Sequence, residues 1–287
     1  MHRIFLLLLA LLGTAPLARA QASFPTIRVV DGRTSQPVPY ASVGVRGKAL
    51  GTVADAQGSF PLSQVGAAPA DTVVISSLGF QTQRLTLREL RGQPEIRLVP
   101  QQQVLAEVVV RGRQPRHLLL GHNWVSAFTS YGFYTALDTV PHARLGREIG
   151  VLLHVKHPTV LENFHVFTSG RDFRSVTFRL HLYAVVKGQP SHSLLRQDVV
   201  FTVDGQRRGW NNVDLRPFAI TLAGPQQVVA TVEWLSSEAG RPGSKFLDIP
   251  VHLSAVHTLY TRSKSAQAWT TAGANPSLYF DALSYPE

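Results

Sequence analysis

Ile27-Arg28-Val29-Val30-Asp31-Gly32-Arg33-Thr34-Ser35-Gln36-Pro37-Val38-Pro39-Tyr40-Ala41-Ser42-Val43 decides the fold of the first third of this chain. A short β-branched run stops at Asp-Gly, a polar stretch follows, and alternation resumes so that Val43 and Val45 share one face. Working outward, Gly51-Thr52-Val53-Ala54-Asp55-Ala56-Gln57-Gly58-Ser59-Phe60 breaks at Asp55-Ala56-Gln57-Gly58. This is turn chemistry: the aspartate can accept from its own backbone and Gly58 is free to take positive φ. The stretch lacks the repeated oxygen ligands of a calcium loop. Asp71-Thr72-Val73-Val74-Ile75-Ser76-Ser77-Leu78-Gly79-Phe80 supplies another strand. Leu85 with Leu87, and Ile96 with Leu98, continue the alternation. Short strands punctuated by turns predict an all-β sandwich.

The order of these blocks resembles the carboxypeptidase-regulatory-like domain, a small transthyretin-like β-sandwich. That resemblance implies a non-catalytic module, because the domain accompanies some carboxypeptidases without carrying their catalytic residues. It also implies an envelope setting, since the same module stands before the plug of many outer-membrane TonB-dependent receptors. Pro100-Gln101-Gln102-Gln103 reads as a linker, and Val104-Leu105-Ala106-Glu107-Val108-Val109-Val110-Arg111-Gly112 resembles the segment that leads to such a plug. No plug pattern follows here, and the remaining residues are too few for a 22-stranded transporter barrel.

Residues 1–20 read as an export signal: Arg3, the apolar run Ile4–Leu12, then Ala18-Arg19-Ala20 before Gln21. The run is shorter than the about 20 residues that span a bilayer, and no later segment approaches that length. The expected location is therefore exported: periplasmic, outer-membrane associated or secreted. With no cysteine in 287 residues, disulfides, thiolate metal sites and cysteine nucleophiles are excluded. The formal charge of +10 falls to +8 without Arg3 and Arg19. Nucleic acid is not the expected partner, because no recognition helix or RNA-binding motif appears. The basicity fits weak attraction to anionic surfaces or plain solubility.

The domain boundaries expected are 24–99 for the first sandwich, 100–116 for a linker with a short strand, and 117–287 for a larger sandwich. Leu118–Leu120, Trp124, Phe128, Tyr131, Phe133 and Tyr134 open the second part as a strand or a short helix. From Glu148 strand signals continue to the end. In 176–183, Val176, Phe178, Leu180 and Leu182 alternate with Thr177, Arg179, His181 and Tyr183. In 228–234, Val228, Ala230, Val232 and Trp234 alternate with Val229, Thr231 and Glu233. Eight to ten such strands predict a jelly-roll-like β-sandwich. The 146–151 opening, the strand near 174–187 and Gly209-Trp210-x-x-Val213-Asp214-Leu215 resemble exported proteins that pair these same two domains.

Catalytic signatures are absent from the sequence. No histidine has a glutamate three residues on, and no His-Glu-x-x-His occurs. His154 and His157 would point to opposite faces of a strand. There is no Gly-x-Ser-x-Gly elbow. The expectation is therefore no catalytic residue, no metal and no cofactor. One stripe has binding chemistry: Arg179, His181 and Tyr183 can line a ligand face or simply meet solvent. The functional expectation is an exported, non-catalytic envelope protein whose partner is an envelope protein, a glycan or a peptide. An accessory role in an outer-membrane uptake system and a peptidase-associated subunit are the alternatives.

Overall fold

The computed structural model describes residues 25–101, 114–134, 141–170 and 172–286. The export signal and the 104–111 segment lie outside the described residues. The protein is all-β, as expected, and consists of a small sandwich followed by a larger one.

The small sandwich has seven strands: β1 (Thr26–Asp31), β2 (Ser42–Val45), β3 (Gly51–Val53), β4 (Ser59–Pro61), β5 (Thr72–Ser76), β6 (Gln83–Thr86) and β7 (Glu95–Leu98). One sheet runs β4-β1-β7, with β1 and β7 parallel, and the other β3-β2-β5-β6. Ile27, Val29, Val43, Phe60, Ile75 and Ile96 fill the space between them. The turn at 55–58 forms as its sequence dictates: Asp55 Oδ1 accepts from Gln57 N at 2.9 Å and Ser59 N at 2.8 Å, and Gly58 has φ 72°. Leu87 departs from the alternation. It opens a short helix, α1 (Leu87–Arg91), because Thr86 and Glu89 form a reciprocal capping box that satisfies the first-turn donors.

The large sandwich opens with β8 (Arg116–Gly121), β9 (Ser130–Gly132) and a 3-10 turn at Pro141–Arg144, so residues after 117 begin as strand. Then follow β10 (Glu148–Val155), β11 (Thr159–Gly170), β12 (Phe173–Val186), β13 (Gln189–Ser193), β14 (Val199–Asp204), β15 (Gly209–Asp214) and β16 (Thr221–Leu222). The last are β17 (Gln226–Ala239), β18 (Leu247–Arg262), β19 (Thr270–Pro276) and β20 (Leu278–Ser284). These thirteen exceed the eight to ten expected, because β9, β13 and β16 are too short to show alternation.

One layer holds β14 and β13 on β12, then β17, β10, β18 and β19. The other holds β15 and β16 on β11, then β20 and β8. Strand β18 joins the layers: Leu247 and Asp248 pair with β11, whereas Leu259–Arg262 pair with β10. Val176, Phe178, Leu180 and Leu182 face inward at 0–1% exposure, which fixes the register of β12. Phe178 meets Trp234 at 5.5 Å and Phe201 at 5.9 Å, and Phe201 meets Phe164 of the opposite layer at 5.8 Å. Trp234 is fully buried, as its alternation predicts.

The outer face of β2 packs on the outer face of the β12 layer. A Cβ at Gly44 would lie 2.8 Å from Ala266 Cβ, and Gly47 N donates to Ala266 O. All four residues of β2 are consequently buried, not only the two on its inner face.

Candidate ligand cleft between the sandwiches

Antiparallel pairing places four charged residues in one transverse row. Arg179 of β12 is opposite Glu233 of β17, which is opposite Glu148 of β10, which is opposite Arg262 of β18. Opposed side chains on one sheet face lie about 4.5–5.5 Å apart at Cβ, so two carboxylates sit side by side between two guanidiniums. Both carboxylates are fully buried. Isolated buried charges would be prohibitively costly, and pairing is what makes the arrangement tolerable.

Glu148 takes the Arg262 side: its Oε1 accepts from Arg262 Nε at 2.7 Å, and its Oε2 accepts from Thr231 at 2.8 Å and the Tyr183 hydroxyl at 3.2 Å. Arg262 also donates to the Tyr183 hydroxyl and lies 4.2 Å over the Trp269 ring. Glu233 takes the other side, with Oε2 2.8 Å from His181 Nε2 and 3.3 Å from Arg179 Nη1. Burial opposes ionisation of Glu233. The His181 hydrogen bond and the charges of Arg179, His181 and Arg262 outweigh it and hold the carboxyl down to about 2. Burial also pushes the Tyr183 hydroxyl well above its ordinary range, so it remains a neutral donor and acceptor.

The row is tied to the small sandwich. Arg179 Nη2 donates to Tyr40 O at 2.8 Å and lies 3.2 Å from Asp198, while Ser42 Oγ donates to Glu233 Oε1 at 3.4 Å. Beside these contacts a cleft of about 360 Å³ opens between the domains. Its floor is Arg179, His181, Tyr183, Glu233 and Arg262. Its walls carry seven hydroxyl side chains: Ser42, Ser76, Ser77 and Thr82 from the small sandwich, and Ser191, Ser193 and Ser265 from the large one. His181 stacks on Tyr183, 5.1 Å between centroids and 19° between planes, presenting a flat polar-aromatic surface.

The predicted stripe is thus brought together at one cleft, but its surroundings differ from expectation. Arg179 is 3% exposed and Tyr183 8%. Neither simply meets solvent: Tyr40 of the small sandwich lies against Arg179, and Arg262 and Trp269 of the large one lie against Tyr183. Strand patterning alone misses Glu148, Glu233, Asp198 and Arg262 as members of the site. The one available signal is Glu233 on the polar side of the alternating 228–234 run. Among the described residues, Glu148, His181 and Glu233 place one ligand atom each within 4.8 Å of one another. Both carboxylates are already neutralised by guanidiniums, so a dication could enter only by displacing them. A carboxypeptidase-type zinc centre does not fit that charge balance. His154 and His157 are both exposed.

Residues 28–110 match the CarboxypepD_reg-like domain family. The small sandwich is therefore a carboxypeptidase-regulatory-like domain, a regulatory module rather than a catalytic one. More particularly, the chain is 37% identical over 84 residues to the TonB-dependent receptor SusC of Bacteroides thetaiotaomicron. The matched stretch is 29% of this chain and only 8% of the receptor. Among solved structures, one of the infectious bursal disease virus Gx strain gives a TM-score of 0.24 at 10% identity, covering 86% of this chain and 61% of that one. A T13 particle of the same virus gives 0.23 at 9%, covering 85% and 56%. Likeness at that level carries no argument.

Proposed function

We propose that this chain is an exported, non-catalytic binding protein of the bacterial cell envelope that captures a glycan or peptide in the cleft between its two sandwiches. In this reading residues 24–99 and 117–287 are the two domains and 100–116 joins them. The observation that carries it is the cleft itself. A stacked His181–Tyr183 pair lies on its floor, and its walls are lined by hydroxyls from both domains. Hydroxyls donate and accept equally, which suits ligands rich in hydroxyl or amide groups. The charge row beneath is internally paired, so it fixes the geometry and leaves recognition to the walls.

The test is a glycan array and a peptide library probed with the full chain, followed by calorimetry on any hit. Ser191→Trp, which blocks the cleft mouth from an exposed position, should abolish binding with an unchanged melting temperature. Equal binding by that variant, or no hit in either library, defeats the reading. The similarity to SusC favours a second role, as an accessory component beside an outer-membrane uptake system. Co-purification with a receptor from solubilised envelope tests it.

A further inference from the structure

One end of the large sandwich exposes four large apolar side chains. Trp124 is 69% exposed and Phe128 97%, both on the connection between β8 and β9. Leu253 at 70% and Val256 at 83% lie where β18 bulges away from β19. The two segments are neighbours. Val251 N donates to Thr129 O at 3.0 Å, Thr129 donates back to Val251 O, and the His122 ring is 6.3 Å from Trp124 and 5.8 Å from His252. The exposure of Phe128 is built in. Ser126 Oγ accepts from Phe128 N at 3.3 Å and Thr129 N at 3.2 Å, and Ser277 Oγ donates to Trp124 O at 2.6 Å. These bonds fix the turn in a shape that holds the ring outward.

Clustered apolar exposure marks an interaction surface, and the occupant follows from charge and form. Neither 121–134 nor 249–280 contains an aspartate or glutamate, in a chain of formal charge +10. The ionisable side chains at this end include His122, which lies near enough to His252 and His257 to be influenced by both, and Asp248, which accepts from Ser130 Oγ at 3.4 Å and whose burial pushes its carboxyl above the usual range. The two segments that carry the four apolar groups hold no carboxylate of their own to repel an anionic surface. The four apolar groups project from two neighbouring segments, two from the β8–β9 connection and two from the bulge in β18. A fluid acyl boundary accommodates such projections, whereas a folded partner needs matched concavities. Tryptophan, with an apolar body and one polar N–H, favours the headgroup level.

We infer that this end docks on an anionic lipid surface, with Trp124, Phe128, Leu253 and Val256 entering the headgroup–acyl boundary. The attachment is peripheral and independent of the cleft.

Flotation of the full chain with vesicles of phosphatidylglycerol and phosphatidylcholine tests it, against vesicles of phosphatidylcholine alone. Binding should favour the anionic vesicles and shift tryptophan emission to the blue, and Trp124→Phe should remove most of that shift. Phe128→Ser/Val256→Ser should lower the vesicle partition coefficient about tenfold or more. Its melting temperature should not change, since both side chains already stand in solvent. Three results overturn the inference: no flotation with anionic vesicles, equal flotation by the double variant, or a dimer that the double variant converts to monomer while vesicles bind neither form. The last would make a second copy of this chain the occupant.

Discussion

The two faces of β12 are both buried, yet they are built from opposite chemistry. Inward, Val176, Phe178, Leu180 and Leu182 lie in the apolar core, where Phe178 meets the rings of Phe201 and Trp234. Outward, Arg179, His181 and Tyr183 meet charged neighbours and the edge of another domain. The inner face gains energy from burial itself, and no single neighbour is indispensable. The outer face is held by specific pairs, so its stability depends on every member being present and correctly charged. An apolar face of this kind makes a fold, whereas a paired polar face fixes one orientation between two folds.

The largest effect separating the faces should come from Phe178→Ala, which removes a ring at the meeting point of Trp234, Phe133 and Phe201. A loss of about 3–5 kcal/mol is expected from chemical denaturation, at every pH, since only apolar contact is lost. A loss below about 1 kcal/mol, within the range of ordinary surface substitutions, would show that the inner face does not carry the core.

Arg179→Met should follow, at about 3 kcal/mol, because it leaves the buried Glu233 carboxylate without its guanidinium and the partly exposed Asp198 without its ion pair. Arg179→Met/Glu233→Leu should recover much of that loss, since the pair then disappears together. A surface stripe would show neither the loss nor the recovery. Additive losses in the double variant would mean the two residues act apart.

A smaller part of the same energy should be visible as pH dependence. Glu233 has a folded pKa lowered from 4.5 to about 2. Its contribution is therefore complete above pH 4.5 and is lost as pH falls toward 2. Denaturation midpoints of the wild type should drop across that window more steeply than those of Glu233→Gln. Parallel curves would assign the acid sensitivity to other carboxylates.

How much of this the sequence discloses depends on the range of the interaction. Period-2 alternation reports which residues of one strand share a face, and so Phe178 and Trp234 are legible as core from their strands alone. Turn chemistry is equally local, and Asp55–Gly58 forms as its residues dictate. The capping box at Thr86 and Glu89 is local too, but the alternation of Leu85 and Leu87 masks it. What alternation cannot report is whether the outward face meets water or another domain. Arg179 reads as a possible solvent-facing residue because its partners, Glu233 and Tyr40, are 54 and 139 residues away in sequence. The charge row exists only through the registers of three separate strand pairings, and those registers are set by the cores rather than by the charges.

The smallest expected effect isolates the contact between the two domains from both cores. Gly44 lies on β2 with Ala266 so close that an added Cβ would fall 2.8 Å from both its Cβ and its backbone nitrogen, and 2.9 Å from Ser265 Oγ. The conformation of Gly44 is not itself the constraint, since its φ is not in the left-handed region. Gly44→Ala should thus leave the interior of each sandwich intact and force the 265–266 segment outward, at a cost of about 1 kcal/mol or somewhat more. The consequence reaches the charge row. Arg262 Nη1 donates to Ser265 O at 2.7 Å, and Ser42, two residues before Gly44, donates to Glu233. Moving the segment should weaken both anchors, so the acid sensitivity assigned to Glu233 should shift to higher pH in Gly44→Ala, while Phe178→Ala leaves that pH window where it was. If Gly44→Ala loses stability without moving the window, the outward face is positioned by the β-sheet alone, and the docked domain covers it without tuning it.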